Sequence, residues 1–371
     1  MKEIKSLIRF YESNNNDYQE KSAIAQVVRV EESSYRREGA RMLVYESGVF
    51  EGGISGGCLE GDALKRSQMA IISQKPSIVT YDTSKDDENQ IGVGLGCNGI
   101  IDILITPINK EKKVISILKK CIERRKAHII VTITNVKGNY KALKLGDVFY
   151  FNSELMSLED CSDIDFQNSI LTSLDQVLKN RKSKFFEIKK EKYSINAFIE
   201  FLPEQFHVAI FGDNYDVYPI LDLARVMDWD VSLIGNIQKL KKDKLFGIKG
   251  LYQKDKEKRP KIDERTAVIL MAHDYKTDKN NFASLIKSKS PYIACLGPKK
   301  RYEKLLKDLK NEGYKFSKHS LSKVYAPCGL EIGANTPEEI STSIFSEILS
   351  VFSNKNGGSL REKIGPIHDR D

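Results

Sequence analysis

The chain has 371 residues, 40% of them hydrophobic, with 59 basic and 51 acidic side chains giving a formal charge of +8. That length supports more than one buried core. Residues 1–17 hold no apolar signal core and no later run approaches membrane-spanning length, so a cytoplasmic protein with its six cysteines as thiols is expected. The excess charge favours anionic ligands, but the basic runs at 110–126 and 239–261 include acids and match no nucleic-acid motif, so they read as solvated surface. In chain order, residues 23–30 are rich in β-branched residues and read as a strand. A loop over 31–39 leads to a second strand at 40–45, and 77–81 reads as a third. Arg41, at the mouth of the second strand, is placed either facing solvent or forked onto a phosphate.

Two glycine-crowded loops interrupt this β-rich module. The first is Gly52-Gly53-Ile54-Ser55-Gly56-Gly57-Cys58, and the second is Gly92-Val93-Gly94-Leu95-Gly96-Cys97-Asn98-Gly99. So much glycine in two short loops implies positive φ values and close approach of backbone to something that is not protein. Apolar positions 59, 63, 64, 70 and 71 fall near helical spacing, which sets Cys58 where a helix begins and unpaired N–H groups face outward. A dipole contribution of about 1 kcal/mol moves a thiol pKa by only roughly 0.7 unit, and Glu60 and Asp62 compete for the same field. Cys58 is therefore expected to stay a thiol until a metal or cationic centre captures it. Cys97 precedes the apolar run 100–105, a buried strand from whose entrance it would project. Cys58 and Cys97, with Gly56, Gly57, Gly94 and Gly96, are read as one anion and sulfur site. The other reading is two buried structural thiols in tight turns, and a zinc site is the third, although the cysteines at 58, 97, 121, 161, 295 and 328 include no close Cys-x2-Cys pair.

Residues 114–122 and 169–178 read as helices and 129–136 as a strand, in a stretch that carries little else. The second half changes character. Strands at 207–212, 231–235, 266–271 and 292–296 alternate with helical stretches, which predicts a Rossmann-like, doubly wound parallel sheet. The expected architecture is α/β, with an N-terminal β-rich α+β domain and connecting region over 1–200 and a Rossmann-like domain over 201–371. Gly212 closes the first strand and His273 follows the third, at the sheet edge where such folds bind ligands, although Asp274 also suits the start of a helix. Gly297-Pro298-Lys299-Lys300-Arg301 opens a helix with three cations and needs a counter-charge. Thr336-Pro337-Glu338-Glu339 is a capping box, followed by a buried stripe of Ile340, Ile344, Ile348 and Val351.

These strings resemble the XdhC/CoxI family of accessory proteins. The resemblance rests on the run from Ser34 to Gly61, with Gly39-Ala40-Arg41-Met42-Leu43-Val44 and residues 53–61, on Tyr81-Asp82-Thr83 and 94–99, on Gly297, on Pro327-Cys328-Gly329-Leu330-Glu331-Ile332-Gly333-Ala334-Asn335-Thr336-Pro337-Glu338-Glu339-Ile340, and on Gly365-Pro366-Ile367-His368-Asp369-Arg370. It implies a maturation factor for xanthine dehydrogenase and related molybdenum hydroxylases, which binds the molybdenum cofactor (molybdopterin) while a cysteine desulfurase replaces an oxo ligand by sulfur, then passes it to the apoenzyme. A homodimer and an accessory rather than an enzymatic role are expected as well, and the lack of a membrane-spanning run leaves no membrane partner expected. By that carry-over Cys58 and Cys97 are the metal-contacting thiols, with Arg41, Gly212 and His273 as further cofactor-binding candidates.

The family's first Rossmann turn commonly reads Gly-Ala-Gly-His, whereas this chain has Gly212-Asp213-Asn214-Tyr215-Asp216-Val217. Asn214 puts a side chain where backbone would meet a pyrophosphate, Asp213 and Asp216 add negative charge, and the second strand ends in Gly235-Asn236 without an acidic ribose partner. An NAD(P)-dependent oxidoreductase built on this domain is the alternative function.

Overall fold

Alternation of apolar side chains along strands buried on both faces organises the first half of the molecule. The computed structural model describes residues 1–15, 20–32, 34–82, 99–254 and 259–364. The chain divides into two units, Met1–Glu204 and Gln205–Asp371. In the first, α1 (Lys2–Asn15) is followed by β1 (Ser22–Glu32), β2 (Arg41–Tyr45), β3 (Phe50–Gly52), α2 (Glu60–Ser73), β4 (Ser77–Asp82), β5 (Gly99–Pro107) and α3 (Lys113–Glu123). Then come β6 (His128–Gly138), β7 (Val148–Asn152), β8 (Ser157–Leu158), α4 (Ile164–Asn180), β9 (Lys184–Lys189) and β10 (Tyr193–Leu202).

The first described sheet runs β3-β2-β1-β5-β4 with antiparallel neighbours. Ala23, Ala25 and Val27 of β1 and Met42 and Val44 of β2 point to a core shared with Ala63, Ala70 and Ile71 of α2. The alternate residues Ile24, Leu43 and Tyr45 face a second core built with α1, α3 and the other sheet. That other sheet, β8-β7-β6-β10-β9, buries its far face under α4. Val28 and Leu104 of the first sheet meet Phe198 of the second, so the two pack face to face.

Residues 110–204 hold more regular structure than the sequence reading gives them, since β7, β9 and β10 complete a sheet there. α1 also lies outside that reading, although Ile4, Leu7, Ile8 and Tyr11 recur at helical spacing and are all buried. Arg41 departs from expectation too. It does not face solvent: it is 4% exposed and its guanidinium grips Glu200 of β10, with Nη1 2.9 Å from Oε1, while the same Nη1 donates to the Gly39 carbonyl at 2.7 Å. The fork that a phosphate would need is spent on a carboxylate from the other sheet.

The second unit holds β11 (His207–Phe211), α5 (Val217–Met227), β12 (Asp230–Gly235), β13 (Gly250–Gln253), β14 (Thr266–Leu270), α6 (Tyr275–Leu285), β15 (Tyr292–Cys295), α7 (Lys299–Asn311), α8 (Lys318–Ser322), β16 (Val324–Tyr325) and α9 (Pro337–Phe352). Its strands run β13-β12-β11-β14-β15-β16, all parallel, with α5 and α9 covering one face and α6 and α7 the other. This is the doubly wound Rossmann order, and its topological switch point lies between β11 and β14. The capping box at Thr336 forms, and Ile344 and Ile348 are fully buried beneath it. Among the described residues no helix is long and apolar enough to cross a membrane.

Candidate functional site

Five strand termini point to the same end of the first sheet in a staggered row, with Arg41 opposite Gln26 of β1 and Gly99 opposite Glu32 further along it. β3 ends there at Gly52, β2 begins at Arg41, β1 ends at Glu32, β5 begins at Gly99 and β4 ends at Asp82. The first glycine loop connects Gly52 to α2 at this end, and Asp82 and Gly99, which flank residues 83–98, stand at the same end. Gly94, Gly96 and Cys97 lie outside the described residues.

The loop that presents Cys58 is cross-braced by one hydroxyl. Ser55 Oγ accepts the backbone N–H groups of Gly57 and Leu59, both at 3.1 Å, and donates to Glu60 Oε2. The Cys58 thiol lies 3.5 Å from the same oxygen. The other carboxylate oxygen of Glu60 accepts N–H groups from Ile54 at 3.2 Å and Ser55 at 2.8 Å. Burial raises the Glu60 pKa, but these donated bonds outweigh it and hold the carboxyl below its ordinary value. Asp62 is likewise lowered: burial works against ionisation, while bonds from Tyr81 and Arg66 prevail. The two acids that the sequence sets against the thiol are thus engaged by their own donors. Leu59 caps α2 without a side-chain acceptor, but the Glu60 carboxylate also takes a backbone bond from its own amide, so part of the first turn is already engaged by an acid.

Glycine is required at particular points of this loop. Gly52 has φ +89°, and a Cβ there would lie 2.4 Å from the Arg41 carbonyl oxygen. Gly57 has φ +114° in open space. At Gly56 the constraint is a neighbour: a Cβ would meet the Tyr35 ring at 3.2 Å. Ile54 and Leu59 are buried on either side and pin the loop, while Cys58 is half-buried against the core that contains Tyr81 and Ile101. Tyr81 Oη donates to Asp62 at 2.6 Å, so the start of α2 is fastened to the end of β4.

The remaining described cysteines differ. Burial pushes the thiols of Cys121 and Cys328 up to about 12, and raises those of Cys161 and Cys295. Among the described residues no group of three or more His, Cys, Asp or Glu side chains is arranged to hold a metal ion.

The second unit places its candidates at the switch point. Gly212 is required because a Cβ would lie 2.6 Å from the Met271 carbonyl oxygen. His273 has φ +57°, and its Nε2 lies 2.6 Å from Asp216 Oδ2 at the start of α5. Asp213 crosses to the end of β12, where its carboxylate accepts the Asn236 N–H at 2.7 Å and stands 3.7 Å from Lys239 Nζ. Both acids of the first turn therefore bridge strand ends where a dinucleotide would lie. Asp274 caps α6, accepting the Thr277 N–H at 2.8 Å. The counter-charge for α7 is Asp278, 2.8 Å from Arg301.

Matches are found among family models, known relatives and solved structures. The model of the XdhC and CoxI family matches residues 17–82, and that of the XdhC Rossmann domain matches 208–348. A Bacillus subtilis protein described as a probable xanthine dehydrogenase subunit is 26% identical over 339 residues, 89% of this chain and 93% of that protein. An Escherichia coli protein, YqeB, is 29% identical over 105 residues, 28% of this chain and 19% of its own length. A crystal structure of a xanthine dehydrogenase from Bacillus halodurans superposes with TM-score 0.71 at 25% identity, covering 95% of this chain and 97% of that one.

Proposed function

The chain belongs to the XdhC and CoxI family, and from that premise we propose that it is an accessory protein of a xanthine dehydrogenase-type molybdenum hydroxylase, holding the molybdenum cofactor as cargo. The observation that carries this reading is the half-buried Cys58 thiol, set on a braced glycine loop at the start of α2 and at the sheet end that receives Asp82 and Gly99. A thiolate is a soft ligand suited to a molybdenum dithiolene centre. Cys97, two residues before Gly99, is the second thiol of the proposal. Resemblance along most of its length to a relative described as part of a xanthine dehydrogenase supports the choice of client. In this reading the loop grips and shields the cargo while a cysteine desulfurase supplies sulfur, and the apoenzyme then receives it.

The test is cofactor retention. Protein purified from cells that make the molybdenum cofactor is analysed for molybdenum and for the fluorescent oxidation product of its pterin. The reading expects near-stoichiometric cargo in the native chain and loss of most of it in Cys58→Ala and Cys97→Ala. Undiminished cargo in both variants would end it.

A further inference from the structure

Tyr35 is 72% exposed, yet its ring rests on a glycine of the loop that presents Cys58. Three ring atoms, Cγ, Cδ1 and Cδ2, lie 3.2, 3.3 and 3.5 Å from the position a Gly56 Cβ would take. The near-equal distances mean that the ring lies against the glycine loop, two residues from Cys58, with its remaining surface in solvent. The hairpin that carries it is tied down on both sides. Ser34 Oγ donates to the Arg36 carbonyl at 2.7 Å, and Arg36 Nη2 donates to the Gly53 carbonyl at 3.2 Å while pairing with Glu3 at 2.7 Å. Burial does not explain this ring, because its exposed area gains nothing from the core. An aromatic surface resting on the same loop as a soft ligand, at a glycine two residues from it in sequence, suits a guest that carries a heterocyclic ring system as well as a metal.

We propose that Tyr35 is the stacking platform for a planar fused heterocycle, the pterin portion of the cargo whose metal end Cys58 holds. The inference rests on the cargo assignment above and adds a residue to it. Glycine at 56 lets the ring approach the loop, since any side chain there would push it away.

The experiment uses the full chain and a metal-free probe, 6-hydroxymethylpterin, whose fluorescence is quenched on stacking, with adenosine monophosphate as the competing flat ligand. Saturable quenching is expected in the native chain. Affinity should fall roughly ten-fold in Tyr35→Ala, within the range that aromatic stacking on a heterocyclic base supplies. Tyr35→Phe should restore it, which a hydroxyl-dependent structural role would not allow, and Gly56→Val should weaken it by displacing the ring. Thermal midpoints of the two Tyr35 variants should match the native chain, because the side chain is mostly in solvent. Equal pterin affinity in Tyr35→Ala, or adenosine monophosphate binding as tightly as the pterin, overturns the proposal. Failure here with molybdenum still lost in Cys58→Ala removes Tyr35 alone. A Tyr35-dependent pterin signal with cargo undiminished in both thiol variants removes the thiol assignment instead.

Discussion

Tyr81 and Asp62 are joined at 2.6 Å, and that bond fastens the first turn of the cysteine helix to the strand leading into residues 83–98. Tyr81 is buried, and its hydroxyl pKa is raised first by that burial and then by the carboxylate that takes its hydrogen bond. Tyr81→Phe leaves Asp62 with Arg66 alone. A hydrogen bond to a charged acceptor contributes about 1.5 to 3 kcal/mol, so urea unfolding should show a loss near the lower end. Cargo retention should fall too, since the anchor between the cysteine loop and β4 is loosened.

Gly52 and Gly57 separate two costs that glycine avoids. Gly57→Ala meets only the penalty of a glycine-type backbone, about 1 to 3 kcal/mol, because nothing lies within 4 Å of its Cβ. Gly52→Ala adds a contact of 2.4 Å with backbone oxygen. Chemical denaturation should rank Gly52→Ala as clearly the more damaging, and a reversed order would contradict this loop geometry.

Glu60 makes stability depend on pH in a defined direction. Its folded carboxyl sits below the unfolded value, so its contribution is present above about pH 4.3 and is lost as pH falls through the folded value. The stability difference between the native chain and Glu60→Gln should therefore be larger at pH 7 than at pH 3. Urea midpoints at the two values measure it, and an unchanged difference would count against the bonding found here.

Thiol reactivity should be ordered by burial. At pH 8 a thiol raised to about 12 is thiolate in roughly one part in ten thousand, so Cys121 and Cys328 should resist iodoacetamide. Among the described cysteines, Cys58 should be alkylated first, read by peptide mass spectrometry.

Breaking the Arg41 and Glu200 pair leaves one charge unmatched where both side chains are 4% exposed. Glu200→Ala should cost about 3 to 5 kcal/mol, and the double variant with Arg41→Ala less than the sum of the two singles. Additive losses would show that the ions act independently.

Local chemistry made much of the molecule legible in its sequence. The helix after Cys58, the strands on either side of it and the parallel sheet announced themselves through apolar spacing and glycine placement, and the capping box at Thr336 did so through four adjacent residues. What escaped was pairing at long range. Arg41 finds its partner 159 positions away, and Asp213 caps the Asn236 amide 23 positions away. Glu200 did leave one trace, as an acid inside the apolar run Ala197-Phe198-Ile199-Glu200-Phe201-Leu202, a place where only a matched charge is stable. Ser55 looked like one more small loop residue, since nothing in its neighbours foretells a hydroxyl serving two amides, a carboxylate and a thiol.

The grip of Glu200 on Arg41 also limits how the chain can be cut. Family likeness over 17–82 and a sheet completed by residue 107 invite a short fragment as a minimal cargo carrier. Such a fragment would bare the guanidinium at the root of the thiol loop, and expose Val28 and Leu104 where Phe198 now covers them. The smallest piece able to keep the loop in shape must run through the last strand before residue 205.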